Sequence, residues 1–237
     1  MRNRAAFLFL LAFILQLKGK ADSLNIYLNY FSVQEGLSEN QTTCVIKDKY
    51  GFIWVGTKDG LNRFDGRTFQ VFKATSANSI PGNYITCLSL DGDSLLWIGT
   101  TSNGFCSYDF ATQKFTHYNT TNSKLNADYI NDITYDSYRN CLWIAMNNSG
   151  LQKFDLEKKQ VIPELVSINT YYTVAILDST PYFGGIIESL KLLKDIGRFK
   201  KPMKDTASTL NTIYIDREGN IWCGAWDNAL HLFNKNT

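Results

Sequence analysis

Hydrophobic positions in this chain gather in short runs that recur at a long, regular interval. Trp54, Trp97, Trp143 and Trp222 each sit in one: Phe52-Ile53-Trp54-Val55-Gly56, Leu95-Leu96-Trp97-Ile98-Gly99, Cys141-Leu142-Trp143-Ile144-Ala145 and Ile221-Trp222-Cys223-Gly224. These tryptophans stand 43, 46 and 79 residues apart, and the last interval is about two periods. Pro181-Tyr182-Phe183-Gly184 fills the gap with Tyr182 in the place of Trp, which makes five copies of a unit of about forty residues.

Each copy carries further markers. An Asp closes a strand-like run before the aromatic, at Asp48, Asp91, Asp136, Asp178 and Asp216. A small residue opens another strand after it, at Gly60, Gly104, Gly150, Ser189 and Ala229. That strand ends at a turn former in Phe64-Asp65, Tyr108-Asp109, Phe154-Asp155 and Phe233-Asn234, with Leu193-Lys194 as the poor copy. A final strand follows in the first two copies, Thr68 to Phe72 and Lys114 to Tyr118. The Asp residues read as turn formers that bond their own backbone two residues on.

The aromatic-bearing strand is apolar on both faces, so it needs cover on both sides. Four-stranded units of this length meet that need by stacking face to face around an axis, so the expected fold is an all-β propeller of about five blades. The blades fall at 42–72, 84–118, 129–165, 171–204 and 209–237, with the fourth degenerate. The Gly after the aromatic should mark close approach of a neighbouring backbone. The last copy lacks an outer strand. Asn25 to Phe31 has the pattern to supply it and close the ring, removing two exposed edges. The competing arrangement is the front part of a larger ring.

The N-terminus reads as an export signal rather than part of the fold. Arg2 and Arg4 precede an apolar run of 13 residues, Ala5 to Leu17, and Gly19 and Ala21 are spaced for cleavage after Ala21. Thirteen residues are short of the roughly 20 that span a membrane. The mature region is then 22–237. Over the whole chain 44% of residues are hydrophobic and 19% charged, which excludes a disordered tail or a fibre. The formal charge of +2 becomes −2 without Arg2, Arg4, Lys18 and Lys20, so there is no electrostatic case for a nucleic-acid partner or a membrane surface.

Candidate chemistry is sparse. Five cysteines, Cys44, Cys87, Cys106, Cys141 and Cys223, show no CxxC spacing and are odd in number, so neither a zinc site nor a disulfide framework is expected. His117 and His231 have no motif partners, and Asp91-Gly92-Asp93-Ser94 lacks the rest of a calcium loop. No catalytic residue, metal or cofactor is expected. Between Lys194 and Lys204 five basic residues gather in the weakest copy, as a solvated loop or a contact for an acidic sugar. Trp226 is the one Trp outside the repeat register. It shares its inter-strand loop position with Asp59, Asn103 and Asn148, so Trp226, Asp227, Asn148, Asn103 and Asp59 form a candidate ligand-binding face.

The first copy carries a resemblance. Phe31 to Asn40, followed by Asp48-Lys49-Tyr50-Gly51-Phe52-Ile53-Trp54-Val55-Gly56-Thr57-Lys58-Asp59-Gly60-Leu61-Asn62-Arg63-Phe64-Asp65-Gly66, resembles the start of the two-component regulator propeller. The match is specific there, good in the second, third and fifth copies, and weak at Tyr171 to Lys204. That family is the periplasmic sensor region of hybrid histidine kinases of Bacteroidetes-type bacteria. The resemblance implies a non-enzymatic sensor of glycan-derived oligosaccharides in the periplasm, tied to a membrane only through segments beyond this chain. A homodimer is a further partner expectation. Family members are far longer, so the chain reads as a truncated sensor ectodomain. A propeller scaffold that binds a protein, or a propeller lyase or hydrolase, are the rival readings.

Overall fold

The computed structural model describes residues 28–75, 78–162, 170–185, 191–192, 209–226 and 230–234. Its strands lie within a compact unit, Phe31–Thr237. The first sheet holds β1 (Thr42–Lys47), β2 (Ile53–Thr57), β3 (Gly60–Phe64) and β4 (Phe69–Phe72), antiparallel and in chain order. The second holds β5 (Ile85–Leu90), β6 (Leu95–Thr100), β7 (Phe105–Asp109) and β8 (Lys114–Tyr118). The third has β9 (Ile130–Asp136), β10 (Cys141–Met146), β11 (Gly150–Asp155) and β12 (Gln160–Ile162). The fourth has β13 (Tyr171–Leu177), β14 (Thr180–Gly185) and β15 (Lys191–Leu192); the fifth has β16 (Leu210–Ile215), β17 (Ile221–Ala225) and β18 (Leu230–Phe233). The first strands lie side by side, β1 on β5, β5 on β9, β9 on β13 and β13 on β16. These sheets are propeller blades, with the first strand of each innermost.

The repeat's aromatics drive the stacking. Trp54 packs with Leu96, Ile98, Cys106 and Tyr108 of the second blade, and Trp97 with Leu142, Ile144 and Phe154 of the third. Trp143 meets Tyr171, Val174 and Phe183 of the fourth, and Tyr182 meets Leu210, Ile221 and Cys223 of the fifth. Each aromatic thus presses on the opposite face of the next blade, which is why its own strand must be apolar on both faces. Truncating one such ring to Ala costs roughly 3–5 kcal/mol.

The turn aspartates do more than turn. Asp48 Oδ1 accepts from the amides of Tyr50 and Phe52, while its Oδ2 accepts the Trp54 indole N–H at 2.8 Å. Asp136 Oδ2 takes the Trp143 N–H at 3.0 Å, and Asp216 Oδ2 takes the Trp222 N–H at 3.0 Å. The turn thereby supplies the one polar partner that a buried indole needs. The Trp222 and Asn220 side-chain bonds hold the Asp216 carboxyl down at about 2. Burial pushes Asp136 up, but the bonds from Trp143 and Arg139 outweigh it and keep that carboxyl below its ordinary value.

Three sequence expectations change. The Gly after the aromatic meets side chains, not backbone: a Cβ on Gly56 would lie 2.5 Å from Cys44 Sγ, and one on Gly184 would lie 2.7 Å from Leu210 Cβ. The third blade has an outer strand, β12, whose three residues are too few to show a pattern. The strand expected at 25–31 is not formed over 28–31, and 25–27 lie outside the described residues. Phe31 packs instead on Phe64 and Phe69 of the first blade, with ring centroids 4.9 and 5.8 Å away. Among the described residues the fifth sheet is β16-β17-β18. Ser189, Ala229 and the basic stretch 194–204 lie outside the described residues.

Candidate functional site

Each innermost strand takes one extra residue immediately after its start. The register with its partner shifts at Thr43, Thr86, Asn131, Tyr172 and Asn211, one bulge per blade at the same position. Bulges re-aim side chains and recur beside binding sites. The next residues, Cys44, Cys87, Asp132, Thr173 and Thr212, pair with Gly56, Gly99, Ala145, Gly184 and Gly224. The small partner makes room for the side chain opposite it.

The same end of the blades carries the turns between second and third strands. In the first, second, third and fifth blades the turn is tied to the residue preceding its inner strand: Lys58 N donates to Gln41 O, Thr101 N to Tyr84 O, Asn147 N to Tyr129 O and Trp226 N to Thr209 O. Adjacent blades are also laced here, Gly60 N to Asn83 O at 2.7 Å and Gly104 N to Asp128 O at 2.9 Å. A rigid rim results, and it displays aromatics. Trp226 is 65% exposed and stacks on Tyr172 with centroids 5.8 Å apart and planes 22° apart. Tyr84 and Tyr129 are also exposed, and Lys58 Nζ lies 5.7 Å from the centre of the Tyr84 ring.

Of the residues nominated from sequence, Asp59, Asn103, Asn148 and Trp226 all stand on these turns, and Asp227 lies outside the described residues. Their polar groups are largely occupied locally. Asp59 pairs with Lys73 at 2.6 Å, Asn103 Nδ2 donates to Pro81 O at 2.7 Å, and Asn148 Oδ1 accepts from Thr170 Oγ1 at 2.8 Å. Trp226 remains the one presented outward with a large open face. Sequence reasoning passed over Tyr84, Tyr129 and Tyr172; the signal available was an aromatic at the mouth of three successive inner strands.

Just below the bulge of β9, the inner wall carries the carboxylate of Asp132. Asp132 Oδ2 accepts from Val174 N of the neighbouring blade at 2.9 Å, and its Oδ1 from Ile133 N at 2.9 Å. It keeps some solvent contact but is surrounded by protein, and that enclosure pushes its carboxyl up to about 6 against the bonds from Val174, Ile133 and Thr173. Burial likewise pushes the Cys44 thiol up to about 11 and the Cys87 thiol well above its ordinary value. Both thiols stay protonated at neutral pH and are poor nucleophiles. Thr173 Oγ1 accepts from Ile213 N at 3.3 Å, and Asn131 Nδ2 donates to Tyr171 O at 2.6 Å, so the wall is stitched blade to blade by polar side chains.

The model of the two-component regulator propeller family matches this chain at residues 36–59 and 79–102, the start of the first two blades. A protein of Formosa agariphila named histidine kinase P4 is 38% identical over 79 residues, which is 33% of this chain and 6% of that protein. Among solved structures, the extracellular domain of a hybrid two-component system from B. thetaiotaomicron superposes with a TM-score of 0.75 at 26% identity, over 88% of this chain and 30% of that one. The extracellular domain of a second such system from that organism gives 0.55 at 19% identity, over 90% and 33%, and bears on the fold alone. The chain therefore spans a small fraction of the length of the proteins it is similar to.

Proposed function

We propose that this chain, matched by the two-component regulator propeller model at the start of its first two blades, is an extracytoplasmic ligand-sensing module that binds glycan-derived oligosaccharides on the bulged rim of its blades and does not turn them over. The single observation that carries this reading is the exposed Trp226–Tyr172 stack beside a ring of bulge side chains. Flat aromatic faces stack on the apolar faces of pyranose rings, and Thr43, Thr86, Asn131 and Asn211 offer donors and acceptors for hydroxyls. The rim is fixed by backbone bonds, so little ordering is needed on binding. Export by the N-terminal segment and placement in the periplasm belong to the same proposal, in keeping with the extracellular domains it resembles.

Titration with a panel of oligosaccharides released from complex glycans, followed by calorimetry and by Trp fluorescence, tests it. At least one should bind saturably and raise the melting temperature, and Trp226→Ala should weaken that ligand tenfold or more with folding intact. New reducing ends or unsaturated products on incubation would replace the sensor reading with an enzyme.

A further inference from the structure

At the opposite end of the blades from the aromatic rim, a cavity of about 340 Å³ opens between the second and third blades. It is lined by Trp97, Tyr118, Ser107 and Thr116 of the second blade, Phe154 of the third, and the turn residues Asp91, Asp109, Asn140 and Lys159. Its size is at the lower end of small-molecule sites.

The cavity coincides with the second blade, whose Asp–Trp pair is the one of the four among the described residues that is not hydrogen bonded. In the first, third and fifth blades the turn Asp accepts the indole N–H directly, at 2.8, 3.0 and 3.0 Å. The second blade keeps both residues at the same spacing as the first and fifth. Yet Asp91 Oδ1 bonds only Ser94 N and Leu95 N, at 3.2 and 2.7 Å, and its Oδ2 has no partner among the described residues. Trp97 is 2% exposed and its Nε1 is buried with no hydrogen-bond partner. A buried unpaired donor costs about 1–3 kcal/mol, so a bound group that satisfies it is favoured. The group that fits between a donor and a carboxylate is a hydroxyl, which accepts from one and donates to the other. Charge adds a second requirement. Asp91 and Asp109 outnumber Lys159 among the charged groups of the lining, and the aromatic Trp97 and Tyr118, with ring centroids 6.0 Å apart, form part of the wall beside them.

We propose that this inter-blade cavity is a second ligand site, separate from the rim, that takes a small hydroxylated ammonium compound. A hydroxyl bridges Trp97 Nε1 and Asp91 Oδ2, and the ammonium lies between the carboxylates and the rings.

The test uses the whole chain labelled with ¹⁵N and follows the Trp97 indole N–H resonance, assigned by its loss in Trp97→Phe. The probes are 2-amino-1,3-propanediol, glycerol, which lacks the ammonium, and isopropylamine, which lacks the hydroxyls. The expected result is a saturable shift of that one indole signal with the aminodiol, at least tenfold tighter than with either other probe, and weakened at least tenfold by Asp91→Asn or Asp109→Asn. Equal response to glycerol and the aminodiol, or a Trp97 signal unmoved by all three, overturns the proposal and leaves the N–H to ordered water. The titration of the unsubstituted chain decides this whether or not a variant folds.

Discussion

Asp132→Asn isolates an enclosed carboxylate of the inner wall. The carboxyl is raised from 3.8 to about 6 because the site disfavours the charged form. A group raised on folding contributes stability that is fully present below its unfolded value and lost as pH climbs through the folded one, so the native state should weaken between about pH 4 and pH 7. The rise corresponds to roughly 3 kcal/mol, and the residue's remaining contact with solvent trims this to ~1–3 kcal/mol. Facing it are Cys44 and Cys87, whose raised thiols do not titrate in that window. Asparagine removes the charge but can accept from only one of Val174 N and Ile133 N, a loss of about 1 kcal/mol at every pH. Urea unfolding of both proteins at pH 4.5, 6.0 and 7.5 measures the difference. The variant should be the less stable at pH 4.5 and gain on the parent by ~1–3 kcal/mol by pH 7.5. A difference that does not vary with pH, or one that moves the other way, refutes the reasoning.

Asp48→Ala strips the partner from the Trp54 indole and from two turn amides, and should cost roughly 3–5 kcal/mol in urea unfolding; a loss under about 1 kcal/mol would mean that the clamp is ornamental. Gly99→Ala puts a Cβ 2.5 Å from Cys87 Sγ and 2.9 Å from Thr86 Oγ1, so it should destabilise by about 1–3 kcal/mol and recover part of that in a Cys87→Ala background. Strict additivity of the two changes would show that the clash is relieved elsewhere. Tyr172→Ala should weaken oligosaccharide binding as Trp226→Ala does, since each ring supports the other, and a normal affinity would separate the pair from the rim's function.

The blade pattern was legible because every blade solves the same packing problem. An aromatic that must cover the next blade forces an apolar strand, and the turn before it needs Asp, so both signals recur at one spacing. What lay hidden belongs to pairs of strands. A bulge at Thr43 or Asn131 leaves no mark in a single strand's alternation, since it is defined by the partner's register. The indole-to-carboxylate bond joins two markers that were each visible but whose contact was not. Asp132 stands where other blades have Cys or Thr, a substitution that carries meaning only once the positions are aligned through their partners at Gly56, Gly99 and Ala145. Asp59, Asn103 and Asn148 were placed on the correct turns by repeat arithmetic, but which side chains their own loops engage depends on Lys73, Pro81 and Thr170, each 14 or more residues away.

The free thiols acquire a practical meaning from this stacking. Cys44 sits in the first blade, Cys87 and Cys106 in the second, Cys141 in the third and Cys223 in the fifth, four of the five buried. In an array where each unit leans only on its neighbours, opening is local and its order along the chain is a property of the molecule. A thiol-modifying reagent followed by mass spectrometry would read each cysteine as a time stamp for its own blade, so the native chain already carries the labels needed to watch the propeller come apart from one end or the other.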